Sequence, residues 1–230
     1  MPSESQPPTT DEDHVLLDGS RGGSLGDRLL DALRDDVITG RYPPGYRLVE
    51  RDVAATYGVS RLPAREALQS LRGEGFVEVR KTRGLVVRSW TRRDVTELFD
   101  IRVALESMAC REAADKRSDD DVTALRTAIT AADAAFGSGD LRAAHDANAQ
   151  FHRLLVTSSH NDTLVQVMSP ILSRVQWLVR QIPDPHAVIS DHAELAEAIA
   201  DGDGARAEAR ARTHAEHNRE VTLSAMFDDR

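Results

Sequence analysis

Apolar residues recur at helical spacing from Leu25 onward, with Leu29, Ala32, Leu33 and Val37 on one face. The pattern stops at Gly40, ahead of the rigid turn Pro43-Pro44-Gly45. A short helix from about Glu50 to Tyr57 is expected next, broken at Gly58. Ser60 is placed to cap a third helix whose first turn tolerates Pro63 and whose buried stripe is Ala64, Ala67, Leu68 and Leu71. Gly73 and Gly75 end it. Two short β-like runs, Phe76–Val79 and Leu85–Val87, then flank the basic tip Arg80-Lys81-Thr82-Arg83-Gly84. Three helices and a basic two-stranded hairpin in this order predict a winged helix-turn-helix.

Past a short linker at Ser89–Thr91, the pattern turns Ala-rich and almost free of strand signals. Punctuation at Gly137-Ser138-Gly139, Ser158 to Asn161, Pro183 to Pro185 and Gly202 to Gly204 marks about six helices: roughly 92–116, 119–136, 140–158, 161–181, 186–200 and 203–226. The fold class is therefore mainly α, an N-terminal winged helix-turn-helix followed by a C-terminal all-α helical bundle. The expected organisation is a disordered acidic arm at 1–20, a DNA-binding domain at 21–88, a linker at 89–91 and an effector-binding and dimerisation domain at 92–226.

Composition narrows the class. The chain has 230 residues and is 40% hydrophobic, enough for packed cores. No apolar run approaches the roughly 18 residues of a membrane-spanning helix, and Met1 to Asp18 lacks the basic and apolar regions of a signal peptide. A single cysteine, Cys110, excludes an intramolecular disulfide framework and a Cys-based zinc finger. A cytoplasmic protein with no membrane partner is expected. The net charge of −9 conceals a polarity. Residues 1–20 carry five acids and no Lys or Arg, residues 21–93 carry fifteen Lys/Arg against nine Asp/Glu, and residues 94–230 carry fourteen against twenty-four. A basic module precedes an acidic one, so nucleic acid belongs to the first and some other ligand to the second.

In the basic module, Arg61 and Arg65 are four apart and share a helix face opposite the apolar stripe. A guanidinium fork suits guanine O6/N7 or a phosphate. Ser60 at the helix N-terminus can meet a phosphate, Arg51 opens the preceding helix, and Gly84 lets the tip enter a minor groove with Lys81 and Arg83 supplying charge. The runs Arg41-Tyr42-Pro43-Pro44-Gly45-Tyr46-Arg47-Leu48 and Val59-Ser60-Arg61-Leu62-Pro63-Ala64-Arg65-Glu66-Ala67-Leu68, continuing through Leu71, Gly75, Phe76-Val77 and Gly84, resemble GntR-type bacterial transcription regulators over residues 25–88. That resemblance implies Arg51, Arg61 and Arg65 as principal DNA contacts and Arg83-Gly84 as the wing contact, on a double-stranded operator of inverted symmetry. Leu62 departs from it, since a Thr is common there.

Seven of the eight histidines lie in the acidic half. Asn148 and His152 are four apart on one helix face, His192 follows Asp191 at the start of the fifth bundle helix, and His214 lies in the sixth. An i, i+4 pair with one His from each of two other helices would offer one oxygen and three nitrogens, a set that suits Zn²⁺, Ni²⁺ or Mn²⁺. A six-coordinate ion would keep two positions for a bidentate carboxylate. His145, His160, His186 and His217 read as surface or capping positions, Arg153 and Arg180 as solvated, Trp177 as core and Trp90 as a linker anchor. Arg102 either pairs with Glu106 one turn on, an interaction worth a few tenths of a kcal/mol on a helix surface, or faces a ligand.

The segments Asp100-Ile101-Arg102-Val103-Ala104-Leu105-Glu106, Asn148-Ala149-Gln150-Phe151-His152-Arg153-Leu154-Leu155, His192 before Ala198-Ile199-Ala200-Asp201-Gly202-Asp203, and His214 resemble the FCD ligand-binding domain of the FadR subfamily, over about 92–222. The resemblance implies a divalent metal held by Asn148, His152, His192 and His214, and an effector cavity faced by Arg102. Asn148 stands where Asp is commoner, which lowers metal affinity and leaves the site one charge more positive toward an anion. The expected function is a ligand-responsive regulator, a homodimer and a repressor, whose operator affinity a small carboxylate alters. One alternative keeps the DNA-binding role with a structural or absent metal and a larger acyl or sugar-acid effector. A remote one is a metal-dependent hydrolase, for which Glu194 is the only nearby acid. No catalytic residue is expected.

Overall fold

The computed structural model describes residues 24–182, 189 and 191–228. The expected acidic arm, the expected break at Pro183 to Pro185, His186 and residues 187, 188 and 190 of the expected 186–200 helix lie outside them. The chain divides into two compact units, Met1–Ser89 and Trp90–Arg230.

The first unit opens with α1 (Leu25–Ile38), started by a capping box in which the Ser24 hydroxyl accepts from the Asp27 amide and the Asp27 carboxylate accepts from the Ser24 amide. Its buried Leu29, Leu33 and Val37 pack against α3 (Arg61–Gly73), whose Ala64, Ala67, Leu68 and Leu71 are buried in return. The short α2 (Glu50–Thr56) buries Val53 and Ala54 beside α3. Arg34 clasps Glu74 with two 2.7 Å bonds, tying α1 to the end of α3. Strands β1 (Val77–Arg80) and β2 (Gly84–Val87) pair antiparallel with Val77 opposite Val87 and Arg80 opposite Gly84. Both strands reach one residue nearer the tip than the alternation predicts. Gly84 makes this possible, since its φ of +70° lets the chain re-enter the ladder directly after Arg83.

Among the described residues, the second unit contains α4 (Arg92–Lys116), α5 (Asp119–Gly137), α6 (Leu141–Thr157), α7 (Asp162–Val179), α8 (His192–Ala200) and α9 (Gly204–Phe227). Local chemistry starts most of them. Thr91/Asp94 and Ser118/Asp121 form capping boxes, and Asp140, Asn161 and Asp203 each accept from a first-turn amide. Trp90 stands edge-on to Trp177, 5.5 Å between ring centroids, so the second unit begins just before the Thr91 cap. Helix α4 is central, packing along α9 and against α6, α7 and α8. Ion pairs Arg111–Glu208 and Arg219–Asp100 set α4 and α9 antiparallel. One apolar cluster gathers around Phe99, Met168, Ile171 and Val175, another around Cys110, Leu125, Phe151, Leu155 and Ile199. Between them α4 buries two charged residues, Arg102 and Glu106.

Candidate functional site

Helix α6 turns His152 toward the space between the clusters, α8 brings His192 from its first residue, and α9 brings His214 from its middle. All three rings are buried, with one nitrogen from each lying within 4.8 Å of the others. Carboxylates fix two of the tautomers. Glu106 Oε1 is 2.9 Å from His152 Nδ1, and Asp191 Oδ1 is 2.7 Å from His214 Nδ1, so each Nδ1 donates to a carboxylate and Nε2 is the nitrogen turned toward the cluster. Those two Nε2 atoms lie 3.4 Å apart, with Arg102 Nη2 3.1 Å from the first and Asn218 Nδ2 3.0 Å from the second. His192 stacks on Phe151 at 4.1 Å and its Nε2 is buried with no partner.

Burial drives the pKa of His152 down to about 4, the Glu106 charge opposing and the Arg102 charge assisting, and drives His192 well below the usual range. Both imidazoles are therefore neutral at neutral pH, the state a metal ligand needs. Burial would raise the Glu106 carboxyl, but the Arg102 and His152 beside it hold it well below the usual carboxylate range. Asp191 is likewise lowered, its partial burial overcome by the hydrogen bond from His214.

A divalent ion fits this donor set. Two ligand nitrogens at about 2.1 Å from a tetrahedral ion stand roughly 3.4 Å apart, the spacing His152 and His214 already have. Asn148 lies one turn before His152, buried, with its Oδ1 unpartnered.

Arg102 makes the expected pair with Glu106, but in the interior of the helices rather than on a helix surface. It pairs with Glu106 at 2.8 and 3.2 Å and also places Nη2 3.1 Å from His152 Nε2, while Nη1 stays buried and unpartnered. Both side chains of the pair are 0% exposed, so the small value of a helix-surface ion pair does not apply.

Several participants escaped the sequence reading. Glu106 orients a histidine as well as neutralising Arg102, Asp191 orients another, Phe151 supports the third, and Asn218 places Nδ2 3.0 Å from His214 Nε2. Asn218 carried a signal: His214 and Asn218 repeat the four-residue spacing of Asn148 and His152 in reverse order. His145, expected at the surface, is buried because it shares the inward face of α6 with His152. Arg180, expected to be solvated, is 12% exposed and pairs with Asp146. Glu194 points outward to Arg210 at 2.8 Å, away from any catalytic use.

In the first unit Arg51, Arg61, Arg65 and Arg83 are exposed. A surface hollow of about 740 Å³ is lined by Arg47, Glu50, Arg51, Asp52 and Arg61, and one of about 270 Å³ by Arg65, Gln69, Arg72 and Gly84 among others. Arg65 is held by Glu50 at 3.0–3.2 Å. Arg47, Gln69 and Arg72 thus join a surface for which the sequence had singled out fewer residues. Ser60 occupies the N-cap position of α3 without making the expected side-chain bond. Pro63, at the third helical position, has no N–H to donate, so the hydroxyl remains exposed.

Residues 97–217 match the FCD domain, and residues 25–87 match the gntR family of bacterial regulatory proteins. The chain belongs to the GntR family of bacterial regulators. It is 31% identical to the HTH-type transcriptional regulator YdhC of Bacillus subtilis over 60% of this chain and 62% of that protein. It is 24% identical to the galactonate operon transcriptional repressor of Escherichia coli, over 81% and 92% of the two chains. A GntR transcriptional regulator from Rhodococcus sp. RHA1 has a similar structure, with a TM-score of 0.74, 26% identity and coverage of 88% and 99%. A GntR DNA-binding module followed by an FCD module makes this chain a DNA-binding transcription regulator, and the proteins it matches are regulators rather than enzymes. Among the described residues, no helix is long and apolar enough to cross a membrane.

Proposed function

We propose that this GntR regulator is a cytoplasmic, homodimeric repressor that holds a divalent metal and a small organic acid in its second unit and releases a two-fold symmetric operator when the acid binds. The observation that carries the reading is the buried cluster of His152, His192 and His214, one nitrogen of each within 4.8 Å of the others, with the Nδ1 of His152 and of His214 each held by a carboxylate. A cation between them would take the places of the Arg102 and Asn218 donors that now meet these nitrogens, and His192 Nε2 stands unpartnered beside them. Asn148, His152, His192 and His214 would hold the ion, which would supply a Lewis-acid position for a carboxylate. Arg102 contributes its free Nη1 to the same anion, its charge oriented by Glu106.

The first unit reads the operator through Arg51, Ser60, Arg61 and Arg65, with Arg83 and Gly84 in the minor groove. Repression is the role printed for the galactonate relative. Allostery requires only that the acid bind one arrangement of the dimer better than the other.

A thermal-shift screen of metal-loaded protein against small carboxylates tests this. An acid at about a hundred times its dissociation constant adds roughly 2.7 kcal/mol to the folded state. The expected hit disappears with EDTA and is absent in His214→Ala. A hit indifferent to EDTA would make the metal structural, and failure of the purified chain to take up Zn²⁺, Ni²⁺ or Mn²⁺ would reject the metal reading.

A further inference from the structure

The exposed face of α3 carries charged and polar side chains except at its tip. Leu62, the second residue of the helix, is 61% exposed, more than any other large apolar side chain among the described residues. At about 100° per residue it lies about 170° around the helix from the mean direction of the buried Ala64, Ala67, Leu68 and Leu71. It therefore stands at the crest of the exposed face, pointing straight away from the core. Its charged neighbours turn aside. Glu50 of α2 accepts from Arg65 Nε and Nη2 at 3.0–3.2 Å, and Arg61 lines the hollow of about 740 Å³ with Glu50, Arg51 and Asp52 of that same helix. Leu62 lines neither that hollow nor the one beside Arg65 and Gly84. Arg61, Arg65 and Glu66 surround it, all exposed, so it belongs to no apolar patch of the kind that receives a protein partner.

The chemistry of a duplex selects what Leu62 can meet. The N-terminal residues of a recognition helix reach base edges in the major groove. A guanidinium fork there serves guanine O6/N7 or a phosphate, but an isobutyl side chain has no donor for either. The one apolar group that a base pair presents in that groove is the 5-methyl of thymine. Closing Leu62 over this methyl takes apolar surface of both out of water, and a single buried methyl contributes about fourfold in affinity. Bases are spaced about 3.4 Å along a strand, and Arg61 and Arg65 leave the helix within one turn of Leu62. The thymine should therefore lie within about two base pairs of a guanine that these arginines read.

We propose that Leu62 is a specificity-determining residue that reads the 5-methyl group of a thymine in each half-site of the operator. The inference rests on the reading of α3 as the base-reading helix. Duplexes selected from a randomised pool by the full native chain supply the probe. Each thymine is then replaced, symmetrically in both half-sites, by deoxyuridine, which removes the methyl and keeps O4 and the base pairing. Fluorescence anisotropy compares the native chain with Leu62→Ala and Arg61→Ala. Ala is at least as good a helix former as Leu and the site is exposed, so Leu62→Ala leaves the fold intact. One replacement close to a selected guanine should weaken native binding about fifteenfold, the square of about fourfold per half-site. Leu62→Ala should bind the thymine and deoxyuridine duplexes within about twofold of each other, since its side chain stops short of the methyl. It should keep the preference for the guanine and the native salt dependence, whereas Arg61→Ala should lose that preference. A shared selected sequence in which no demethylation weakens native binding by more than about threefold overturns the proposal and leaves α3 as the base-reading helix. So does a demethylation loss that Leu62→Ala retains in full. Selection that yields no shared sequence removes the base-reading helix and the proposal together.

Discussion

Replacing Glu106 by Gln isolates the electrostatics at the centre of the second unit. Arg102 and Glu106 are both 0% exposed, and Glu106 also accepts from His152 Nδ1. The amide keeps an oxygen for His152 but presents its NH₂ to the guanidinium donors and removes the counter-charge. Breaking a buried pair from one side strands a charge away from water, at a cost of about 3–5 kcal/mol. For a chain of this size each kcal/mol moves the thermal midpoint by about 2–4 °C, so Glu106→Gln should lower it by roughly 6–20 °C. The double variant Arg102→Met with Glu106→Gln leaves no stranded charge while keeping the His152 acceptor. It should therefore recover at least about 2 kcal/mol relative to Glu106→Gln alone. The loosened orientation of His152 should separately weaken metal binding by about 10–100-fold. Urea unfolding of the four members of the cycle, metal-free, gives the stabilities, and competition with a chromophoric chelator gives the affinities. A loss below about 1 kcal/mol for Glu106→Gln, or a double variant as unstable as the sum of the singles, would refute the account of Arg102 and Glu106 as one coupled buried unit.

Asn148→Asp should tighten metal binding and weaken the acid, because a carboxylate ligand neutralises charge that otherwise attracts an anion; calorimetry with the opposite pair of changes would reject Asn148 as a ligand. Arg61→Ala or Arg65→Ala should abolish operator preference while the second unit melts as in the native chain, and native operator affinity should fall steeply as salt is raised from 50 to 200 mM. Fluorescence anisotropy on operator and scrambled duplexes reads both, and an affinity flat in salt contradicts the interface. The metal-free chain should lose stability as pH falls below about 6.5. His145, His152 and His192 all have folded pKa values below the unfolded one, so in this window the unfolded state binds more protons. Their contribution is intact above the unfolded pKa and declines toward the folded ones, near 4 for His152. A melting temperature unchanged between pH 7.5 and 5 would contradict the burial of these rings.

Much of this protein was legible one residue at a time. Capping residues such as Ser24, Thr91 and Ser118 announce helix starts because their side chains compete for backbone amides within three residues. The arginines of the recognition helix and the glycine of the wing announce a DNA-reading head because spacing on one helix, or permitted φ at one position, is a local property. Even the Asn148–His152 pair is visible, since a four-residue interval on a helix brings two side chains to one face. The tertiary structure decided what depends on residues far apart in the chain. Whether Arg102 pairs on a surface or in the interior depends on the helices packed around α4, and burial changes both its energy and its use. The same holds for Glu106 and Asp191, which select imidazole tautomers across 46 and 23 residues of chain. His145 read as a surface residue from its own stretch of sequence and is an interior one because α6 turns that face inward. Sequence determines which faces exist and where helices begin. Only the packing of those faces settles which polar atoms lose water and must find a partner.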